Sequence, residues 1–181
     1  TLNLYVSVTQ ILTFIIEAGG VGLLAVEYVR KGYEPARRVR AANLQLSLVI
    51  SVVLLVVSVG VSWLAPSAVP LTSGLLIVLV SFLQALNGLE LPYYRGAQTY
   101  RIAVAGQFSY AVLNVVLTVL AFEFDSPTVT NRLLCIALAG AIVQSFYLLE
   151  LGRQPYKIAD KLARRRNYST IIRFGLSLFV H

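Results

Sequence analysis

The sequence predicts an all-α protein, a polytopic transmembrane helix bundle with five full spans plus the start of a sixth. Two observations lead to this fold class. The 181 residues are 57% hydrophobic and 13% charged, and the mean hydropathy of +0.76 is far above that of a soluble domain. The apolar residues also fall into runs of about 20, the length that a helix needs to cross a hydrocarbon core.

The predicted spans follow one another closely along the chain. They cover 2–29, 41–64, 71–94, 102–124 and 133–151, and a sixth begins near 171. Glycine or proline occurs in every joint between them, for example Gly32 and Pro35 in the first and Pro66 and Pro70 in the second. Because the joints are short, we expect consecutive spans to be antiparallel neighbours.

Basic residues predict the orientation of the bundle. Five lie in the first joint, none in the second, two in the third, one in the fourth and seven in the last. By the positive-inside rule, the first, third and fifth joints face the cytoplasm and Thr1 starts outside, as in a multi-pass plasma-membrane protein. A chain that starts outside without a cleavable signal is unusual, so we expect this one to be a fragment that lacks an upstream helix. The net charge of +7 follows from this distribution and does not indicate nucleic acid.

Three segments are predicted: a helical bundle at 1–153, a basic amphipathic cytoplasmic segment at 154–169, and the start of a further span at 170–181. The basic segment is expected to lie on the inner leaflet, where cationic side chains attract anionic headgroups. It lacks the interleaved aromatic residues of a single-stranded nucleic-acid site. Its proposed membrane-surface residues are Lys157, Lys161, Arg164, Arg165 and Arg166.

Several classes of chemistry are excluded by residue counts. The single cysteine, Cys135, rules out a disulfide framework, and with the single histidine, His181, it rules out the usual metal clusters. The sequence contains no phosphate-binding glycine loop, nucleophile elbow or paired-carboxylate motif. We therefore predict no catalytic residues, no metal and no cofactor, and a function other than an enzyme.

Ionisable groups at membrane depth are the main functional candidates. Glu17 lies midway along the first predicted span. Its carboxyl group either binds a coupling proton or sodium ion, pairs with an arginine from another helix, or stays protonated and bonded to a neighbouring carbonyl. The third span ends in a polar cluster that contains Asn87, Glu90 and Arg95, and Pro92 is expected to kink the helix there and bring Glu90 towards Arg95. An interfacial anchor of tyrosines and a snorkelling arginine is the alternative.

Two amides on the fourth span complete the candidates. Gln107 and Asn114 are seven residues apart and therefore lie on one helix face. They form either a polar stripe towards a cavity or hydrogen bonds between helices.

Three stretches resemble the polysaccharide flippases of the multidrug, oligosaccharidyl-lipid and polysaccharide exporter superfamily. The first is EAGGVGLLAVEYVR at 17–30 with the basic turn KGYEPARRVR at 31–40 and the apolar helix that follows. The second is YYRGAQTYRIA at 93–103, and the third is IIRFGL at 171–176. The resemblance covers nearly the whole chain and places it in the N-terminal lobe, as helices two to six and the start of seven.

The resemblance implies a transporter with two six-helix lobes, alternating access and a polyprenyl-pyrophosphate-linked oligosaccharide as substrate, as used in polysaccharide biosynthesis. A pyrophosphate head group needs cations in a water-filled cleft, and Arg95 or Arg101 would provide bidentate contacts to it. Glu90 is also predicted to be a substrate-binding residue. The amides of Asn87, Gln107 and Asn114 would then meet sugar hydroxyls, and Glu17 would serve coupling or charge balance. The expected partners are membrane lipids, the lipid-linked substrate and a second lobe or partner membrane chain, with no nucleic acid.

Alternatives remain open at this point. A cation-coupled multidrug exporter of the same superfamily would depend more on Glu17 than on Arg95. A small structural subunit would hold partner chains in a complex and would need neither residue. A membrane transferase would need a catalytic acid or base at the interface, for which the candidates are Glu90, Glu123, Asp125 and Glu150.

Overall fold

A computed structural model of the chain describes residues 2–17, 23, 33–65, 70–96, 100–124 and 128–152. This part of the chain is 97% helical and contains no strand, which confirms the predicted all-α class. It forms five helices: α1 (Leu2–Glu17), α2 (Tyr33–Leu64), α3 (Leu71–Gly96), α4 (Tyr100–Phe124) and α5 (Val129–Gly152).

Four of the described helices are long and apolar enough to cross a membrane. Their candidate spans are Arg38–Leu64, Leu71–Tyr94, Arg101–Glu123 and Val129–Glu150. α1 is also apolar, but its described part has 16 residues and ends at Glu17. The rest of the predicted first span, apart from Leu23, lies outside the described residues, as do the basic segment at 154–169 and the predicted sixth span.

α2 begins eight residues earlier than the sequence predicts. Pro35 was expected to belong to the joint, but it lies in the first turn of the helix. Proline is tolerated in a first turn because its missing N–H has no intrahelical acceptor there. The basic residues Arg37, Arg38 and Arg40 therefore lie on the helix and not in the joint, which matters for the site described below.

Contacts between helices define an up-and-down order. The side chain of Arg40 on α2 bonds Glu90 on α3, and Tyr147 on α5 bonds Ala103 on α4, so both of these pairs are antiparallel. We call the end of the bundle where α2 finishes and α3 begins the Leu64 end. The opposite end, where α3 finishes and α4 begins, is the Gly96 end.

α3 is the central helix of the described bundle. It packs against α1, α2, α4 and α5. In its most apolar window 56% of the residues are buried, against 11% in α2 and 11% in α4. The exposed residues of α2 and α4 are largely valine, leucine and phenylalanine, which suit contact with lipid tails.

Glycine permits one close approach between α4 and α5. The hydroxyl and ring of Tyr147 lie against Gly106, where a Cβ atom would be 2.9 Å from the ring carbon Cε1. Tyr147 is fully buried, so the ring has no space into which it can move. Its hydroxyl donates to the carbonyl of Ala103 at 3.4 Å, one turn away along α4. The glycine thus sets how closely these two helices pack.

Candidate functional site

A buried ion pair joins α2 and α3 near the Gly96 end. Arg40 Nε donates to Glu90 Oε2 at 3.1 Å, and Arg40 Nη2 donates to Glu90 Oε1. The side chains are 7% and 1% exposed. The guanidinium also lies 5.0 Å from the centre of the Tyr93 ring, within the range of a cation–π contact. A bidentate pair of this kind fixes both charged groups in one geometry.

This pairing changes the expected role of Glu90. The sequence predicted that a kink at Pro92 would bring Glu90 to Arg95, but both carboxylate oxygens bond Arg40. α3 continues through Pro92 to Gly96, and the side chain of Arg95 lies outside the described residues. Sequence analysis missed Arg40 because it assigned this residue to a joint.

Three tyrosines pack beside the ion pair. The rings of Tyr93 and Tyr94 meet edge to face with their centres 5.3 Å apart, and the rings of Tyr94 and Tyr147 stack with their centres 5.4 Å apart. All three side chains are fully buried between helices. This burial argues against the alternative in which Tyr93 and Tyr94 anchor the chain at the headgroup level.

Buried side-chain amides lie one helical turn from the ion pair, towards the centre of the bundle. Gln144 Nε2 on α5 donates to Asn87 Oδ1 on α3 at 2.7 Å. Asn43 on α2 is fully buried, and its position three residues after Arg40 places it level with Asn87, three residues before Glu90. Among the described residues, neither amide atom of Asn43 has a hydrogen-bond partner. The interior is therefore polar at this level, although the outward surfaces of α2 and α4 are largely apolar.

Hydroxyl groups continue the polar interior between α1 and α3. Ser81 donates to the carbonyl of Thr9 at 3.1 Å, and Thr13 donates to Gln84 Oε1 at 3.2 Å. α3 thus carries polar side chains at every third position over three turns, at Ser81, Gln84, Asn87 and Glu90. We call this set the α3 polar track. It contacts α1, α2 and α5.

A cavity of about 310 Å³ opens beside the start of the track, between α1, α3 and α5. Arg132 is the charged residue of its lining. The polar lining also includes Tyr5, Thr9, Gln10 and Gln84, and the apolar lining consists of Val6, Val80, Leu133 and Ile136. A concave site with a few converging polar groups and apolar walls has the usual character of a ligand pocket.

Two side chains of α4 hold Arg132. Its Nη1 donates to Asn114 Oδ1 at 3.0 Å and to Thr118 Oγ1. α4 ends at the Leu64 end, and Asn114 lies one helical turn further from this end than Thr118. The guanidinium therefore points towards the centre of the bundle and does not snorkel towards the membrane surface. Within the described part of the chain no carboxylate pairs with this arginine.

A second cavity, of about 250 Å³, lies on the other flank of α1. It is lined by α1, α2 and α3, chiefly by leucine, valine and isoleucine, with Tyr5, Ser58 and Gly74 among them. Its lining by described residues includes no charged side chain and no side-chain amide. The cavity of about 310 Å³, which we call the Arg132 cavity, is therefore the better candidate for a site with polar specificity.

The predicted site residues do not form one cluster. Asn87 and Glu90 lie together in the α3 polar track, whereas Asn114 supports Arg132 nearer the Leu64 end. Gln107 is partly buried, and Arg101 is exposed at the start of α4. Glu17 is partly buried at the end of α1. The five predicted membrane-surface residues lie outside the described part of the chain: Lys157, Lys161, Arg164, Arg165 and Arg166.

Arg132 is the functional candidate that sequence analysis undervalued. It was counted as the single basic residue of the fourth joint, but α5 begins at Val129 and includes it. A cationic residue within an apolar run of membrane-spanning length was the signal that could have found it. Among the described residues, no three His, Cys, Asp or Glu side chains come together as a metal site would require.

Comparisons with protein-family models, with curated proteins and with solved structures find no match to this chain.

Proposed function

We propose that this chain is a lobe of a membrane transporter that moves an anionic lipid-linked oligosaccharide, of the polyprenyl-pyrophosphate type, across the bilayer by alternating access. The observation that carries the proposal is the α3 polar track with the Arg132 cavity beside its start. A protein that only anchors itself or a partner in the membrane has no need of a buried ion pair, buried amides and an arginine-lined cavity, because each of these groups is costly to remove from water.

The charges favour an anionic substrate over a cationic one. In the Arg132 cavity the charged group is a guanidinium, which suits phosphate oxygens. The carboxylate of Glu90 is already neutralised by Arg40, so a cationic drug would have to rely on Glu17 instead. These two observations support the flippase over the cation-coupled multidrug exporter.

The proposed orientation follows the charges near the helix ends. Arg38, Arg40 and Arg101 lie close to the Gly96 end. The positive-inside rule therefore supports a cytoplasmic Gly96 end and an outer Leu64 end in the plasma membrane. The Arg132 cavity would then lie in the outer half of the bundle. The proposed partners are membrane lipids, the lipid-linked substrate, and a second lobe or partner chain that completes the translocation path.

A structural subunit is the second candidate. The wide apolar surfaces of α2 and α4 favour it, because such surfaces suit a partner helix as well as lipid. The two candidates differ in whether the polar interior is needed for transport.

Transport in proteoliposomes that contain this chain together with the second lobe or partner chain that completes the path tests the proposal. A fluorescent polyprenyl-pyrophosphate oligosaccharide would be incorporated, and its movement between leaflets would be followed by quenching with an impermeant reagent. We expect movement faster than in protein-free liposomes, and slower movement with Arg132→Gln than with the exposed Arg38→Gln. Export of ethidium without lipid movement would favour the multidrug exporter. Movement of neither compound would overturn the proposal in favour of the structural subunit.

A further inference from the structure

We infer that the Arg132 cavity binds the phosphate headgroup of a membrane lipid, with the guanidinium as the anion-binding group and Gln10 and Gln84 beside it. This inference deepens the proposed function and rests on it only for the identity of the lipid that is moved. It assigns a role to an arginine on α5 that none of the sequence motifs singled out.

Within the described part of the chain, the guanidinium of Arg132 uses only some of its hydrogen-bond donors. An arginine side chain presents five N–H groups in a planar fork. Both hydrogen bonds from Arg132 to α4 start at Nη1. Within the described part of the chain, the N–H groups on Nη2 and Nε have no acceptor and are therefore left for a ligand. Asn114 and Thr118 hold the fork in place, which reduces the ordering cost that a ligand would otherwise bear.

The charge is not compensated by the surrounding described residues. Arg132 is partly buried within a candidate membrane span, and the groups that hold it, an amide oxygen and a hydroxyl, are neutral. A cation in this setting is stabilised most by an anion that enters the cavity. A phosphate group offers several strong acceptor oxygens and matches the geometry of the fork.

The cavity walls favour a lipid over free phosphate. Next to Arg132, the lining includes Val6, Val80 and Ile136, which would leave free phosphate facing apolar surface. Val6 and Gln10 are both exposed on α1, so the cavity opens towards the outside of the described bundle. A lipid can place its phosphate at Arg132 and leave its hydrocarbon chain along this apolar wall.

Binding measurements on the full chain in phosphatidylcholine nanodiscs test the inference. The probes are a polyprenyl pyrophosphate, the matching polyprenol without phosphate, phosphatidylglycerol and inorganic pyrophosphate, detected by native mass spectrometry. We expect the polyprenyl pyrophosphate to bind at least about tenfold more tightly than the polyprenol, the scale of one strong charged contact. Tighter binding of phosphatidylglycerol would keep the lipid-phosphate site and assign it to a bilayer lipid.

Variants separate a binding role from a structural one. Arg132→Gln should weaken binding about tenfold, and Arg38→Gln should have no effect. Arg132→Lys should fall between them, because it keeps the positive charge but loses the planar fork. If Arg132→Gln fails to fold, Gln10→Glu places a repelling charge at the exposed side of the cavity and should weaken binding several-fold in a folded protein.

Three results would overturn the inference: equal binding of polyprenol and polyprenyl pyrophosphate, unchanged binding in both Arg132→Gln and Gln10→Glu, or an equal affinity for inorganic pyrophosphate, which would assign the cavity to a free anion. The outcome is separable from transport. Arg132-dependent binding without lipid movement retains the site and overturns the proposed function. Lipid movement that does not depend on Arg132 retains the proposed function and overturns the site.

Discussion

Arg40 and Glu90 form a bidentate ion pair that is buried between α2 and α3, although fifty positions separate the two residues in the sequence. The pair lies at the Gly96 end of the α3 polar track and joins the central helix to a helix whose remaining surface is mostly exposed. Its position makes it the main polar connection between these two helices.

Removing one partner of this pair should destabilise the protein more than removing both. Arg40→Gln leaves a buried carboxylate without its cation, and Glu90→Gln leaves a buried guanidinium without its anion, at a cost of about 3–5 kcal/mol each. The double variant Arg40→Leu/Glu90→Leu should lie closer to the wild type, because two apolar residues replace two buried charges. Thermal unfolding in detergent measures all three, with the exposed Arg38→Gln as the control. Additive losses in the double variant would contradict the buried pair.

Gly106→Ala should separate α4 from α5. The added methyl group meets the ring of Tyr147, which is buried on all sides, so we expect a loss of about 1–3 kcal/mol from overpacking. Gly60→Ala is the matched control, because nothing lies within 4 Å of a Cβ atom there. It should be neutral or stabilise α2 by up to about 1 kcal/mol through helix propensity. Unfolding curves that rank the two variants in the opposite order would disprove the close approach.

Gln144→Leu should lower the free energy of unfolding by more than the small change in side-chain volume suggests. The substitution removes the donor that bonds Asn87 Oδ1, and it leaves a buried amide on the central helix without its partner. Hydrogen bonds between membrane helices are worth about 0.6–2 kcal/mol, so we expect a loss of that order. Ser145→Ala is the control, since Ser145 is exposed and, among the described residues, its hydroxyl bonds the carbonyl of Ala141 on its own helix. Equal unfolding temperatures for the two variants would count against the Asn87–Gln144 bond.

Cysteine labelling should report both packing and orientation. Cys135 is buried, and its Sγ donates to the carbonyl of Leu117 at 3.3 Å, so it should react slowly with maleimide until the protein is unfolded. In a Cys135→Ala background, Thr128→Cys at the Leu64 end should react with an impermeant maleimide in intact cells. Arg38→Cys, near the Gly96 end, should react only after permeabilisation. Reaction of both variants from the same side would contradict the up-and-down order.

Hydropathy sufficed to predict the helices but not their partners. The predicted and observed ends agree at Leu64, Leu71 and Phe124, because a span depends on the length of an apolar run and little else. The early start of α2 was missed, since Pro35 marks either a joint or a first turn and local sequence does not distinguish them. That error moved Arg40 out of the bundle and left Glu90 without its true partner.

The candidate site was predicted only in part, for a similar reason. Polar residues at membrane depth identified Asn87, Glu90 and Asn114 as important, because such groups need partners wherever they lie. The identity of those partners depends on which helix faces meet. Gln144 on α5 is 57 positions from Asn87, and Arg132 is 18 positions from Asn114 on the neighbouring helix. Arg132 lies close enough to the end of its helix to be mistaken for a joint residue.

The separation of fifty positions between Arg40 and Glu90 also has a consequence for biosynthesis. At a ribosomal rate of roughly 5–20 residues per second, α2 emerges roughly 3–10 s before the carboxylate that neutralises its arginine. Arg40 lies two residues inside its candidate span, so during this interval it can stay at the membrane surface in contact with water. We expect that Arg40 moves inward only once α3 has inserted and Glu90 can pair with it.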